Sequence, residues 1–101
     1  MAVRGANVPR EVWLAPPVPN PARATATLLF ALPVEGAVNL AIYDVSGRQV
    51  RELVSGVLPA GEHERRWDGR DDAGRTVQSG LYFVRLQSAG KLLTVRMMAV
   101  P

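Results

Sequence analysis

Short segments in which apolar and polar residues alternate make up most of the chain, and glycines and prolines separate them. A period of two is typical of β-strands with one buried face, and no window keeps the i, i+3, i+4, i+7 spacing of an amphipathic helix. In the segment 25–32, for example, Leu28, Phe30 and Leu32 fall on one face. The pattern predicts an all-β domain.

The alternating segments predict seven strands, with turn signals about every ten residues between them. In chain order they are 12–15, 25–32, 37–45, 49–54, 62–67, 81–88 and 91–100. This spacing is typical of a sandwich of two sheets. We expect the sheets to be antiparallel, because no connection is long enough to hold a crossover helix.

Several breaks between the strands predict specific backbone geometry. Pro16, Pro17, Pro19 and Pro21 favour a stiff, extended connection, because a proline donates no backbone hydrogen bond to a sheet. Asn20 should start a turn through its side chain.

Two turns are predicted from the positions of glycines. Ser46-Gly47 predicts a tight hairpin turn. The segment 71–74 predicts a type I turn in which Gly74 adopts a positive φ.

Composition and charge exclude several classes of protein. The 101 residues fit one domain, which we place at 12–101, with 1–11 as a linker or residues foreign to the domain. The absence of cysteine excludes a disulfide framework and a thiolate metal site. The net charge of +3 comes from interspersed residues, so no basic stripe for nucleic acid is expected. No segment is long enough to span a membrane, and any export signal should lie upstream.

Large apolar and aromatic side chains predict the core. Trp67 and Tyr82 should fill the space between the sheets, each with one polar group that needs a partner. The full set of predicted core residues is Phe30, Leu40, Ile42, Trp67, Tyr82, Val84 and Leu86. In the last hairpin, Leu93, Val95 and Met97 should pack across the strands against Tyr82, Val84 and Leu86.

Three acidic residues, Asp68, Asp71 and Asp72, are weak candidates for a calcium site, since a hard cation takes six or more oxygen ligands. Arg70 and Arg75 adjoin them, and no glutamate closes the loop as in an EF-hand. An ordinary polar turn therefore explains the segment better, and we expect neither a metal nor another cofactor.

Candidate catalytic residues are few. His63 is the only histidine, and although a serine such as Ser46 could complete a triad, no serine has a nucleophile-elbow context. Glu62 and Glu64 share one strand face, as a glycosidase pair could, but a solvated charged face is the more ordinary explanation. We therefore expect no enzyme activity.

Five short motifs occur in order along the chain: Pro19–Pro21, Ile42–Arg48, Ala60–His63, Trp67–Asp71 and Ser79–Phe83. Together they resemble the FlgD-type Ig-like domain, named for the flagellar hook-capping protein. They are also similar to the C-terminal sorting domains of type IX secretion cargo. The resemblance covers about 12–100 and implies a seven-stranded antiparallel sandwich of the immunoglobulin or fibronectin type III kind.

One residue departs from the pattern that this resemblance implies. The position between His63 and Trp67 on the same strand face is usually apolar, but here it is Arg65. Either that strand lies at a sheet edge with one wet face, or the Arg65 stem covers the core while its charged group reaches solvent. We expect the second arrangement.

The resemblance implies a non-catalytic C-terminal accessory domain of an exported bacterial protein, extracellular or on the cell surface, that serves in secretion sorting, attachment or spacing. Its partner would be a protein: the parent enzyme domain, the secretion machinery or a surface component. No nucleic acid and no membrane insertion are expected. In the last strand, Lys91 and Arg96 are the candidates for recognition by a partner. The alternative is that this strand only closes the sandwich and covers a sheet edge. The alternatives are a flagellar hook-assembly scaffold domain, or a carbohydrate-binding module with Trp13 and Tyr43 as its aromatics.

Overall fold

The computed structural model describes residues 9–100, so most of the predicted linker lies outside the described residues. Within that range the chain forms eight strands. They are β1 (Trp13–Leu14), β2 (Val18–Arg23), β3 (Thr25–Leu32), β4 (Gly36–Asp44), β5 (Gln49–Leu58), β6 (Gly61–Trp67), β7 (Gly80–Ser88) and β8 (Lys91–Val100). Over the same range, nothing helical is long and apolar enough to cross a membrane.

The strands form two layers that pack face to face. In the first layer β3 is central and pairs antiparallel with β1 and with β6. In the second layer the order is β8-β7-β4-β5, and each neighbouring pair is antiparallel. The predicted all-β sandwich is confirmed in this form, with eight strands where seven were expected.

The additional strand is β2, the proline-rich segment that we expected to be an unpaired connection. That expectation was wrong: β2 pairs antiparallel with β3 at Val18 and Arg23, and with β8 at Ala22 and Arg23. It therefore joins the two layers. The registered pairs include neither Pro19 nor Pro21, so neither proline has to donate a ladder hydrogen bond.

The pairing of β2 with β8 is parallel, which corrects the expectation of wholly antiparallel sheets. That expectation considered only connections between successive strands, whereas these parallel neighbours are joined through the rest of the domain. Asn20 Oδ1 accepts a hydrogen bond from Met98 N at 3.0 Å. The Asn20 side chain thus bonds to the last strand instead of starting the expected turn.

The interior between the layers is apolar. The predicted core residues are all buried, with Trp67 only 1% exposed, and the ring of Trp67 meets the ring of Tyr82 edge-on at 5.9 Å between centroids. Across the last hairpin, Tyr82 pairs with Met97, Val84 with Val95 and Leu86 with Leu93, in the predicted register. Burial of each large side chain stabilises the fold by about 1.5–3 kcal/mol.

Each of the two arrangements considered for Arg65, an edge strand with one wet face and a stem that covers the core, is partly correct. Among residues 9–100, β6 pairs only with β3, so it is an edge strand. Arg65 lies opposite the buried Leu28, is itself half-buried, and donates from Nη1 to Glu64 O at 2.8 Å. Its stem therefore covers part of the interior while its guanidinium bonds back to the edge backbone.

Candidate functional site

The loop at 68–79, between β6 and β7, closes one end of the sandwich over β2. Gly69 has a φ of 75°, and a Cβ atom there would lie 2.7 Å from Ala24 O. Trp67 Nε1 donates to Arg70 O at 2.9 Å, and Val77 N donates to Gly69 O at 2.9 Å. The loop is thus fixed to the core by the polar group of Trp67 and by a backbone contact that requires glycine.

Asp71 organises the turn inside this loop. Its Oδ1 accepts from Ala73 N at 3.0 Å and Arg75 N at 2.9 Å, and its Oδ2 accepts from Arg75 Nε at 3.1 Å. The hydrogen bond from the Arg75 backbone is the largest cause of a lowered pKa of the Asp71 carboxyl. Gly74 N donates to Asp71 O at 2.9 Å, and the φ of Gly74 is 82°, so the predicted turn is confirmed.

The other two calcium candidates bind hydrogen-bond donors on β5 and in the loop. Asp68 Oδ1 accepts from Arg51 Nη1 at 2.9 Å and Arg70 N at 3.0 Å. Asp72 accepts from Glu52 N at 3.0 Å and from Gln49 Nε2 at 3.2 Å. Within residues 9–100, no three or more His, Cys, Asp or Glu side chains are grouped so that they could hold a metal ion.

In the hairpin turn between β4 and β5, the Asp44 carboxylate accepts hydrogen bonds from the turn, as Asp71 does in its loop. Asp44 Oδ1 accepts from Ser46 Oγ at 2.6 Å, Ser46 N at 2.9 Å and Arg48 N at 3.0 Å. The Ser46 hydroxyl is the largest cause of a lowered pKa of the Asp44 carboxyl. Gly47 has a φ of 86°, as the tight turn requires.

Tyr82 makes a contact that the sequence reasoning did not identify. Its hydroxyl donates to Gln78 O at 2.7 Å, four residues upstream, which is the geometry of a tyrosine corner. Burial, and then the Asp44 carboxylate, raise the pKa of the Tyr82 phenol. The position of Tyr82 near the start of a strand that follows a loop is the sequence feature that could have predicted this contact.

His63 is held in a structural arrangement. Its ring stacks on the buried Phe30 with centroids 5.3 Å apart, and its Nε2 lies 2.8 Å from Pro59 O. A carbonyl oxygen only accepts hydrogen bonds, so Nε2 carries the proton. Glu62 and Glu64 are exposed on the opposite face of β6.

The aromatic candidates for carbohydrate binding lie on different layers. Trp13 is half-buried on β1 and pairs with Ala31 in the first layer. Tyr43 is on β4 in the second layer, with the Arg85 guanidinium carbon 4.7 Å from its ring centroid. The two rings do not form a row.

The exposed cations of the last strand are separated. Arg96 pairs with Phe83 near the middle of β8, whereas Lys91 pairs with Ser88 at its start. Both side chains are exposed.

A cavity of about 250 Å³ opens beside the closing loop. Trp67, Val77 and the small side chains of Ala22 and Ala99 form its apolar wall, and Asp68 also lines it. The volume suits one apolar side chain rather than an extended ligand.

The fold and these loops define a small β-sandwich module whose loop carboxylates are bound by internal hydrogen-bond donors. The model of the FlgD Ig-like domain matches residues 24–91, and the chain belongs to this family.

Comparisons with individual proteins agree with that assignment. The basal-body rod modification protein FlgD of Salmonella typhimurium is 33% identical over 88 residues, which are 84% of this chain and 38% of that protein. The FlgD structure from Xanthomonas campestris, described as a hook-capping protein, superposes with a TM-score of 0.60 at 26% identity, over 96% of this chain and 72% of that one.

A secretion protein shares the fold. PorZ of Porphyromonas gingivalis, a surface component of the type IX secretion system, has a TM-score of 0.59 at 22% identity, over 89% of this chain and 11% of that one. The chain thus spans well under half the length of the curated FlgD relative and a small part of PorZ.

Proposed function

We propose that the chain is a non-catalytic accessory domain of a larger exported bacterial protein, and that it acts through contact with a protein partner in secretion sorting, attachment or spacing. The main observation behind this proposal is that the side chains able to take part in catalysis or metal binding already form hydrogen bonds within the domain. The carboxylates of the 68–79 loop and the His63 ring bind groups of the same domain. What is left for function is the outer surface of the sandwich, together with the small apolar cavity beside the closing loop.

Two further observations support the accessory role. The chain matches only 38% of the FlgD relative, so the domain type occurs inside longer proteins. The same fold occurs within PorZ, a surface component of a secretion system. The proposed location of this domain is accordingly outside the cell or on its surface.

An export assay tests the sorting form of the proposal. The chain is fused behind a secreted reporter enzyme in a type IX-secreting host, and reporter activity is measured in the medium, on the cell surface and in the periplasm. We expect the fused reporter to leave the periplasm and the unfused reporter to stay there. Equal retention of both would reject sorting and leave attachment or spacing, which a fusion to a surface-anchored parent would then test.

A flagellar hook-assembly scaffold is the second candidate, favoured by the 33% identity to FlgD. Its test is replacement of the matching segment of Salmonella FlgD by this chain, with swimming motility as the measurement. Under our proposal the chimaera is stable but non-motile. Restored motility would make the scaffold function the better assignment.

A further inference from the structure

One outer sheet face stands out by composition. It lies on β4, β7 and β8 and consists of Tyr43, Leu81, Phe83, Arg85, Arg96 and Met98; we call it the arginine–aromatic face. Pairing places Tyr43, Phe83 and Arg96 in one row across three strands. The neighbouring row on β7 and β8 is Leu81 opposite Met98, and Met98 is 44% exposed. No strand of the described chain covers this face.

The two arginines of this face make no salt bridge within the described residues, and the carboxylate that shares their row, Glu52, is separated from Arg85 by Ala41. The salt bridges among residues 9–100 are Arg51–Asp68 and Arg75–Asp71, and neither Arg85 nor Arg96 takes part in one. The guanidinium of Arg85 lies over the Tyr43 ring at 4.7 Å. Stacking of this kind fixes the side chain in place, so less conformational entropy is lost when the guanidinium meets a ligand.

The outer face of the first layer differs in kind. There β6 presents Glu62, Glu64 and Arg66 beside Thr27 and Leu29 of β3, and the half-buried Trp13 of β1 lies on the same face. Apart from Trp13, this mixture is typical of a solvated sheet. Tyrosine, phenylalanine, methionine and arginine are instead the residues enriched at the centres of protein interfaces. Composition therefore favours a protein ligand for the arginine–aromatic face, and its charge favours an acidic one.

We infer that the arginine–aromatic face binds an acidic surface of a partner protein. Carboxylates of the partner pair with Arg85 and Arg96, and an apolar side chain between them packs on Phe83 and Met98. Arginine binds carboxylates in bidentate fashion, which orients the partner. Three strands about 4.8 Å apart offer a small area, typical of a weak, transient contact. The inference deepens the proposed function by naming the chemistry of the partner.

A binding experiment on the chain itself tests the chemistry. The probe is a glutamate–tyrosine copolymer, and binding is followed by amide shifts in two-dimensional NMR at low salt. The face variant is R85E/R96E, and the matched control is R10E/R66E, which changes the net charge equally at two exposed arginines outside the face. We expect at least about tenfold weaker binding for the face variant only, with shifts in the wild type centred on Phe83.

Several results would overturn the inference. Equal weakening in both variants, or shifts centred on another surface, would assign the binding to net charge. Heparin binding to the same residues as tightly as the copolymer would define a general polyanion site. Self-association in sedimentation experiments that the face variant abolishes would make a second copy the occupant. If R85E/R96E does not fold, R85Q/R96Q replaces it, with R10Q/R66Q as its control and the same expectation.

The export fusion separates this inference from the proposed function. If the fused reporter is exported and R85E/R96E abolishes export while R10E/R66E does not, the inference and the proposed function are both supported. Export that survives R85E/R96E rejects the inference alone. If the wild-type fusion is not exported, sorting fails, and the copolymer experiment decides the inference by itself.

Discussion

The interior between the two layers and the end closed by the 68–79 loop are held together in different ways. In the interior, large apolar side chains such as Phe30 and Leu40 are fully buried, and the stabilisation is spread over many contacts. At the closing end, the contacts are few and specific. Trp67 Nε1 donates a hydrogen bond to Arg70 O, and Asn20 Oδ1 accepts one from Met98 N. Gly69 lies close to the backbone oxygen of Ala24. The interior should tolerate exchange of one apolar residue for another, whereas the closing end depends on particular atoms.

The largest expected effect is at Trp67, which belongs to both regions. Trp67→Ala should lower the free energy of unfolding by about 3–5 kcal/mol, because it removes a large buried aromatic and the anchor of the loop. The matched control is Trp13→Ala, at a half-buried residue of the outer face, which should cost less than half as much. Denaturant unfolding measures both, and equal losses would contradict the contrast between interior and surface.

Next in size is Gly69→Ala, which tests the backbone contact at the closing end. The new Cβ would meet Ala24 O at 2.7 Å, and the φ of 75° adds strain, so we expect a loss of about 2–3 kcal/mol. Gly74→Ala is the control, because its φ is also positive but no atom lies within 4 Å. It should cost about 1 kcal/mol. If the two variants have the same melting temperature, the close approach of Gly69 to Ala24 adds nothing to stability.

Asn20 tests the polar link between the first and last segments of the sandwich. Asn20→Ala leaves Met98 N without its acceptor and should cost about 1 kcal/mol. Asn20→Asp keeps an acceptor oxygen at the same place and should retain most of the stability. Loss of stability in both variants to the same extent would show that the amide group, rather than the acceptor, matters there.

Acid should weaken the two aspartate-organised turns. The pKa of both Asp44 and Asp71 is lowered in the folded protein, so their contribution is fully present above the ordinary carboxyl pKa of about 4. It is lost as the pH falls through the lowered values. Thermal melts between pH 6 and 2 should show this decline, and D44N/D71N should flatten it. An unchanged slope in that variant would assign acid sensitivity to other groups.

The smallest expected effect is that of calcium, which should leave the melting temperature unchanged at millimolar concentration. Asp68, Asp71 and Asp72 each accept N–H donors, and a ligand stabilises only by binding the native state. A rise of several degrees that is absent in Asp71→Asn would contradict this expectation. A magnesium titration is the control for ionic strength.

The contrast between the two regions also explains what the sequence could predict. Alternation of apolar residues follows directly from one-sided burial, so the inward positions of Leu40, Ile42 and Val84 are predictable from the chain alone. The turn at Gly74 is predictable too, because a positive φ has a strong local preference for glycine. These features depend on neighbours along the sequence.

The remaining features depend on contacts between distant segments. The pairing of β2 with β8 was missed because prolines disfavour strands locally, while the side chain of Asn20 supplies a hydrogen bond to the other strand. The requirement for Gly69 arises from Ala24, far along the chain. The arginine–aromatic face was only partly predicted: Arg96 was identified, but Arg85 joins it through pairing across β7 and stacking on Tyr43.

The parallel pairing of β2 and β8 has a mechanical consequence. Opposing forces applied to the two ends of the domain would slide β2 and β8 past each other along their common direction. The force would then act in shear on all of the contacts between the strands, at Ala22–Ala99, Arg23–Val100 and Asn20–Met98. These contacts would have to break together rather than one after another. Shared loading resists extension better than sequential opening. A domain joined this way is suited to carry tension between the segments that precede β2 and follow β8.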